Sequence, residues 1–395
     1  MTISIPRIGI VFPLLTGGVS IAIPIFRITC LRRNISIIIR IVAPFITKLG
    51  LNAVDLAHQI ADKINDQKGL EKIVVAPPGF INFYLSEGVK AEVIKKVLKL
   101  GAEYGSKTIQ EPKNIILEFV SSNPTGPLHI GHGRHAAYGD SLAKLMRKAG
   151  HQVYTEYYVN DTGRQMNIFA LSVLIEILNL KGASLVLPRV SYQGAYLEKI
   201  AKKTQNSIDV NFDNLLENKD LKDSYASCSA DEEIDKLIAD FQNQLGIESF
   251  ERFTDSVSSL MVTSIKKDLE EFGVVYNNWF SEREMINKGL VQKSIKQLKD
   301  NDLTYKKGGA LWLKTMNFGD DKDRVIIRED GRSTYFASDI AYHFDKRFRG
   351  FDVLLDVLGS DHHGYLDRLG AGLAAMNEPQ ESLEISLVQF VSLFK

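Results

Sequence analysis

The stretch Glu118-Phe-Val-Ser-Ser-Asn123-Pro-Thr-Gly-Pro-Leu-His129-Ile-Gly131-His132-Gly133-Arg134 decides the fold. Before and into it, Ile115–Val120 is a short apolar run that reads as a buried strand. After it, Tyr138, Leu142, Leu145 and Ala149 recur at helical spacing until Gly150 stops the pattern. Gln152–Val159 reads as the next strand. Strand, Pro/Gly loop, helix and strand at this spacing form a βαβ unit, which requires a parallel sheet with helices on its faces. The quoted loop then lies at the carboxyl end of a strand, where doubly wound sheets bind ligands. The helix start offers unpaired N–H groups and partial positive charge, which suit a triphosphate. Gly131 and Gly133 allow a nucleotide to lie against the backbone. His129 and His132, three apart, share a face of the first turn and can donate to phosphate oxygens.

Working outward, Val274–Phe280, Asp352–Leu358 and Ile385–Leu393 are further strand candidates. Between Leu180 and Phe272 the chain is charge-rich and helical, an insertion or helical layer. Leu311–Lys314 and Arg324–Arg328 read as a hairpin in a second insertion. Upstream lies a small α+β unit ending near Pro112. Asn52 caps a helix over Ala53–Ile64, and Lys72–Ala76 and Ile81–Leu85 are strands around Pro77-Pro78-Gly79. Ser86 caps a second helix carrying Val89, Val93, Val97 and Leu100.

The chain has 395 residues, enough for at least two domains, with 45% hydrophobic and 24% charged residues as in ordinary soluble proteins. Basic and acidic residues number 48 each, which neither supports nor excludes a nucleic-acid partner, since a neutral total can hide a basic face. The two cysteines, Cys30 and Cys228, stand far apart, against a disulfide framework and in keeping with a reducing cytoplasmic setting. No acid precedes Asp55. Ile8–Phe26 is uncharged and long enough to cross a membrane, yet it contains Pro13, Gly17, Gly18 and Pro24. A membrane or targeting segment and an aberrant, poorly ordered start both remain open. His129, His132 and His135, with Asp361-His362-His363, offer zinc-ligand types, but no cysteine or Glu-x-x-His context accompanies them, so no resident metal is expected.

Ser122–Arg134 resembles the first signature of class I aminoacyl-tRNA synthetases in the form used by arginyl-tRNA synthetases. Tyr157-Tyr-Val-Asn-Asp161-x-Gly-Arg-Gln165, Tyr192-x-Gly-x-Tyr196, Trp279-Phe-Ser-Glu282, Asp323-Arg-Val325, Thr334-Tyr335-Phe-Ala-Ser-Asp339-Ile-Ala-Tyr342 and Gly359-Ser-Asp-His-His-Gly-Tyr365 follow in that family's order. The resemblance covers about Leu51 to Lys395. It implies an α/β fold: a doubly wound, Rossmann-like catalytic domain with helical insertions (about 181–272 and 286–333) over 111–395. A small α+β domain of the kind that contacts the tRNA elbow would occupy 41–110, and 1–40 would be aberrant. It also implies activation of arginine with ATP and magnesium, transfer to tRNA(Arg), no membrane, and a monomer in the cytoplasm.

Carried over residue by residue, Glu118 and Asn123 would hold the substrate's α-amino and carboxylate region. Tyr335 and Asp339 would reach the guanidinium. His129 and His132 would act on the ATP phosphates, and Gly131, Gly133, Gly359, Asp361 and His362 would line the nucleotide. A guanidinium is a planar fork of donors that a carboxylate such as Asp339 accepts bidentately, whereas lysine would lose one of the two bonds. Asp339 can also be read as a helix-start cap for Ile340 onward, and Tyr335 as plain core. Two departures stand out. The Lys-Met-Ser-Lys-like loop and helical anticodon-binding domain of the family do not appear before Lys395, and the resemblance fades above Ile41. The expectation is a fragment impaired in charging tRNA; the alternative is an inactive nucleotide- or arginine-binding remnant.

Overall fold

The computed structural model describes residues 9–13, 20–24, 27–31, 34–38, 52–64, 70–106, 109–205, 215, 230–360, 365–389 and 391. Among these, no helix is long and apolar enough to cross a membrane. Residues 41–51, the start of the expected small α+β domain, lie outside the described residues. The chain divides into two compact units, Met1–Gly105 and Ser106–Lys395.

The first unit contains an antiparallel hairpin of β1 (Gly9–Pro13) and β2 (Ser20–Pro24). It also contains a four-stranded sheet built from β3 (Arg27–Leu31), β4 (Asn34–Ile38), β5 (Leu70–Ala76) and β6 (Phe80–Leu85), in the order β3-β4-β6-β5. Helix α1 (Ala53–Ile64) starts as expected, with Asn52 Oδ1 accepting from Asp55 N at 2.8 Å. Its buried Ala57 and Ala61 pack on Ile81 of β6. Helix α2 (Glu87–Leu100) begins with Ser86 at its N-cap as expected, although the serine side chain makes no capping bond.

The second unit is built on five parallel strands: β7 (Asn114–Glu118), β8 (Gln152–Val159), β9 (Asn278–Ser281), β13 (Val353–Gly359) and β14 (Leu383–Val388). Their spatial order is β14-β13-β7-β8-β9. The chain runs outward from β7 to one edge, returns, and runs outward to the other, so the topological switch point falls between β7 and β13. Helix α3 (Ile130–Ala149) crosses from β7 to β8. Helices α4 (Arg164–Leu180), α5 (Ala195–Gln205), α6 (Ala230–Leu245) and α7 (Ile247–Glu271) fill the connection to β9 and form the largest core with one sheet face. Short α8 (Glu282–Asn287) and α9 (Leu290–Asp300) lead to an antiparallel sheet of β10 (Thr304–Lys307), β11 (Ala310–Leu313) and β12 (Arg324–Ile327). Helix α10 (Tyr335–Phe348) returns to β13, and α11 (Tyr365–Ala375) to β14. The expected hairpin is present but has a third strand, β10, whose residues Thr-Tyr-Lys-Lys carry too little apolar alternation to show in sequence.

Several boundaries moved for physical reasons. β7 ends at Glu118, two residues early, because Val120 and Ser121 take φ of 69° and 40° and turn the chain out of the sheet. Ser121 N donates to the Phe119 carbonyl at 3.0 Å across this turn. A β-branched residue at positive φ is a costly conformation, held here by its surroundings. β9 starts only at Asn278; before it, Asn277 Oδ1 accepts from Thr155 N and Tyr276 OH donates to the Phe119 carbonyl. β14 ends at Val388 rather than Leu393, and 392–395 lie outside the described residues.

The buried face of α3 also differs from the expected stripe. Leu145 and Tyr138 are exposed, while Gly131, His135, Ala136, Gly139 and Ala143 face inward. Small residues are needed because Phe119 presses on the helix: a Cβ on Gly139 would lie 2.2 Å from the Phe119 ring. Gly150 ends the helix in the left-handed region at φ 103°, as expected for a C-cap glycine.

Candidate active site

The carboxyl ends of β7 and β13 meet at the switch point, and the loop after β7 rises from there into α3. The loop is pinned by hydrogen bonds from β8. Tyr158 N donates to Ser121 Oγ, and Tyr157 OH donates to the Ser122 carbonyl at 3.0 Å. Asn123 Nδ2 donates to Gln165 Oε1 at 2.6 Å, and Tyr196 OH donates to the Thr125 carbonyl at 2.8 Å. Residues from two later sequence blocks thus shape one loop.

His129 is the N-cap of α3. Its Nδ1 accepts from Gly131 N at 3.2 Å, and His132 Nδ1 accepts in turn from His129 N at 3.3 Å. The two rings stack with centroids 3.8 Å apart. Because each Nδ1 is an acceptor, a neutral ring carries its proton on Nε2. Burial first, then the neighbouring His129 and His135, hold the His132 imidazole down to about 4, so it is a neutral donor at pH 7. A Cβ at Gly133 would meet nothing within 4 Å, so the surface over this first turn is open. Gly359 closes β13 at the same sheet edge, three residues beyond the Asp356 that pairs with Glu118. Asp361 and His362 lie outside the described residues.

Beneath the loop is a row of acids. Asp356, Glu118 and Glu156 stand in register on the adjacent strands β13, β7 and β8. All three are buried, and buried carboxylates need partners. Helix α10 and its C-cap bring His343, Lys346 and Arg349 to them at successive turns. Lys346, fully buried, donates to Glu118 Oε2 at 2.7 Å and Asp356 Oδ1 at 2.9 Å, and lies 4.2 Å from the Tyr342 ring centre. Arg349 grips both oxygens of Glu156 at 2.6 and 2.8 Å. His343 Nε2 lies 2.6 Å from Asp356 Oδ2 and its Nδ1 2.8 Å from the Asp339 carbonyl. The imidazole thus bridges the Asp356 carboxylate and the backbone of α10. Burial works to raise the Asp356 carboxyl, but Lys346 and His343 outweigh it and hold it below the carboxylate range. Burial likewise opposes the Lys346 charge, and Asp356 and Glu118 prevail to raise it.

Two more carboxylates stand at this site and are met by hydroxyls instead of cations. Asp339, on the second turn of α10, is bonded by Tyr365 and pushed up to about 6 by burial, with Glu282 and Glu118 adding to the rise. Glu282 opens α8. Its Oε2 accepts from Thr162 Oγ1 at 2.8 Å, Tyr158 OH also bonds it, and burial raises it too. Asp161 fixes this helix start by accepting from Ser281 Oγ and Arg283 N. Asp339 is not a cap: the N-cap of α10 is Thr334, whose side chain accepts from Ala337 N. Tyr335, one turn before Asp339, is 70% exposed and is not core.

The model for class I tRNA synthetases of the arginine type, catalytic domain, matches residues 93–393, and that for the arginyl-tRNA synthetase N-terminal domain matches 37–85. The chain belongs to the arginyl-tRNA synthetase family. An arginine–tRNA ligase of Legionella pneumophila is 40% identical over 86% of the chain, and one of Vesicomyosocius okutanii is 42% identical over the same share. The chain spans 58% and 59% of those two relatives. The solved structure of a Campylobacter jejuni arginyl-tRNA synthetase matches at a TM-score of 0.63 with 32% identity, covering 78% of this chain and 61% of that one. A Thermus thermophilus arginyl-tRNA synthetase shares the fold at a TM-score of 0.60 and 17% identity. The doubly wound synthetase fold anticipated from the loop is the one observed.

Of the expected site residues of this synthetase-family chain, Glu118 and Asp339 are close enough to interact electrostatically, and His129 and His132 stack. Glu282 and Lys346 carried no expected role. Glu282 reads in sequence as an ordinary acid at a helix start. The signal for Lys346 was available: Asp356 and Glu156 sit inside apolar strands, and such acids demand cations.

Proposed function

We propose that this chain carries the arginine- and ATP-binding core of an arginine–tRNA ligase. The observation that supports this most directly is the pair Asp339 and Glu282. Lys346 and Arg349 bond the strand acids, whereas among the described residues no lysine or arginine bonds Asp339 or Glu282, so these two carboxylates give the site its negative charge. They would take the guanidinium, with Tyr335 at the opening. Glu118 and Asn123 would take the α-amino and carboxylate end. His129 and His132 would donate Nε2–H bonds to the α-phosphate as charge builds there, while the substrate carboxylate displaces pyrophosphate and forms the arginyl-adenylate. Gly131, Gly133 and Gly359 would leave room for the nucleotide. The arginyl group would then pass to the terminal adenosine of tRNA(Arg). Magnesium is proposed only as the counter-ion of ATP; among the described residues no three His, Cys, Asp or Glu side chains are grouped to hold one.

Arginine binding should release a proton. Burial, with Tyr365, His343, Glu282 and Glu118 around it, leaves the Asp339 carboxyl at about 6 without substrate. A guanidinium bound there lowers it. Affinity is therefore expected to rise with pH up to about 6, by as much as about tenfold per unit, and to level off above it. Calorimetry at about pH 5 and about pH 7.5, in buffers of different ionisation enthalpy, checks this; pH-independent affinity would contradict it. Arginine-dependent ATP–pyrophosphate exchange with tRNA present tests the catalytic half separately: incorporation of label only when arginine is present supports the ligase reading, and exchange without arginine counts against it.

A further inference from the structure

We infer that Lys346 is a positioning residue that aims Glu118 at the substrate's α-ammonium group, an inference that rests on the pocket proposed above. Lys346 touches no surface: its side chain is 0% exposed, and its ammonium is shared among Glu118 Oε2, Asp356 Oδ1 and the face of Tyr342. A buried lysine is rare and costly, and the helix could carry an apolar residue here instead. The fixed geometry explains what the charge does. Asp356 is itself clamped by His343, so it cannot follow the lysine if Glu118 moves. Lys346 is thereby held from the β13 side and holds one oxygen of Glu118 at the end of β7, leaving Oε1 to face the substrate.

The mechanism does not need Lys346 to touch arginine. Without it, Glu118 and Asp356 are adjacent acids, and the remaining neighbour His343 is bonded to Asp356. Glu118 has then lost the bond that fixes its direction, turns away, and is a poor acceptor for an ammonium. The guanidinium end, on Asp339 and Glu282, has other anchors: Thr162, Tyr158 and Tyr365. The loss is therefore confined to ligands that bear the α-amino group.

The test compares arginine with 5-guanidinovalerate, which lacks that group, by calorimetry on the full chain and on Lys346→Met. A charge-assisted bond of this kind is worth about tenfold or more in affinity. The expected result is a loss of at least about tenfold for arginine and less than about twofold for 5-guanidinovalerate. Equal losses for both, or arginine binding that is unchanged or tighter, overturn the inference while leaving the pocket intact. A wild-type chain that binds neither compound overturns the pocket and this inference with it. Should Lys346→Met fail to fold, the double variant Lys346→Met/Asp356→Asn removes a buried cation and anion together. It is expected to fold and to show the same selective loss. Recovery of arginine affinity in the double variant would mean that charge balance, not the Lys346–Glu118 bond, is what matters, and would overturn the inference.

Discussion

Replacing Asp339 by asparagine is expected to remove measurable arginine binding and, at neutral pH, to make the ligand-free protein harder to melt. The first effect follows from leaving a buried guanidinium without its carboxylate, which costs about 3–5 kcal/mol, or about a hundred- to several thousand-fold in affinity. The second follows from the carboxyl's environment. Burial pushes Asp339 up to about 6, above its value in an unfolded chain. Its stabilising contribution is complete only in acid, is lost as pH rises through about 6, and is absent at neutrality. A rise of about two pKa units corresponds to about 3 kcal/mol, an upper bound on what a neutral isostere recovers. Differential scanning calorimetry should show the variant melting higher above about pH 6, with the difference closing in acid. A variant that melts lower at neutral pH while still binding arginine would mean that Asp339 is a structural acid.

Substituting Gly139 is expected to damage the unit that carries the site more than any exposed change. The added Cβ would lie 2.2 Å from Cγ and 2.4 Å from Cδ2 of Phe119. The ring cannot retreat, being almost fully buried and stacked on Tyr276 at 4.6 Å. Alanine in place of a mid-helix glycine gains about 1 kcal/mol of helix propensity. Overpacking at such a distance costs about 1–3 kcal/mol or more, so the steric term wins. Gly139→Ala should lower stability by a few kcal/mol, and Gly139→Val should prevent stable folding. Urea unfolding measures this, and a stability equal to or above wild type would show that α3 and β7 do not approach so closely. The same contact supports the turn at Val120 and Ser121, so arginine affinity should fall in whatever fraction of Gly139→Ala remains folded.

The βαβ unit was legible because its signals are local: an apolar run, a Pro/Gly loop, helical spacing and Gly150 as a stop. The catalytic fold followed from one handover between strand and helix. What escaped was set by contacts distant in sequence. The positive φ of Val120 depends on Tyr157 and Tyr158 holding the next residues in place. The buried face of α3 was misjudged because leucines were counted, while the close approach of Phe119 selects glycine and alanine. Tyr335 and Asp339 lie one turn apart on α10, and only the fold distinguishes an exposed tyrosine from a half-buried acid. Glu282 joins Asp339 through β9, more than fifty residues away, and no periodicity reports that. The register of Asp356, Glu118 and Glu156 likewise exists only once the strand order is known.

Arginine recognition by uncompensated carboxylates is tested most directly by titrating the chain with arginine, citrulline and lysine in a calorimeter at about pH 7.5. Citrulline keeps the shape of arginine without the charge, and lysine keeps the charge without the fork. Arginine alone should bind, at least about a hundredfold tighter than either of the others. Equal binding of arginine and citrulline, or of arginine and lysine, would contradict the assignment of Asp339 and Glu282 to the guanidinium.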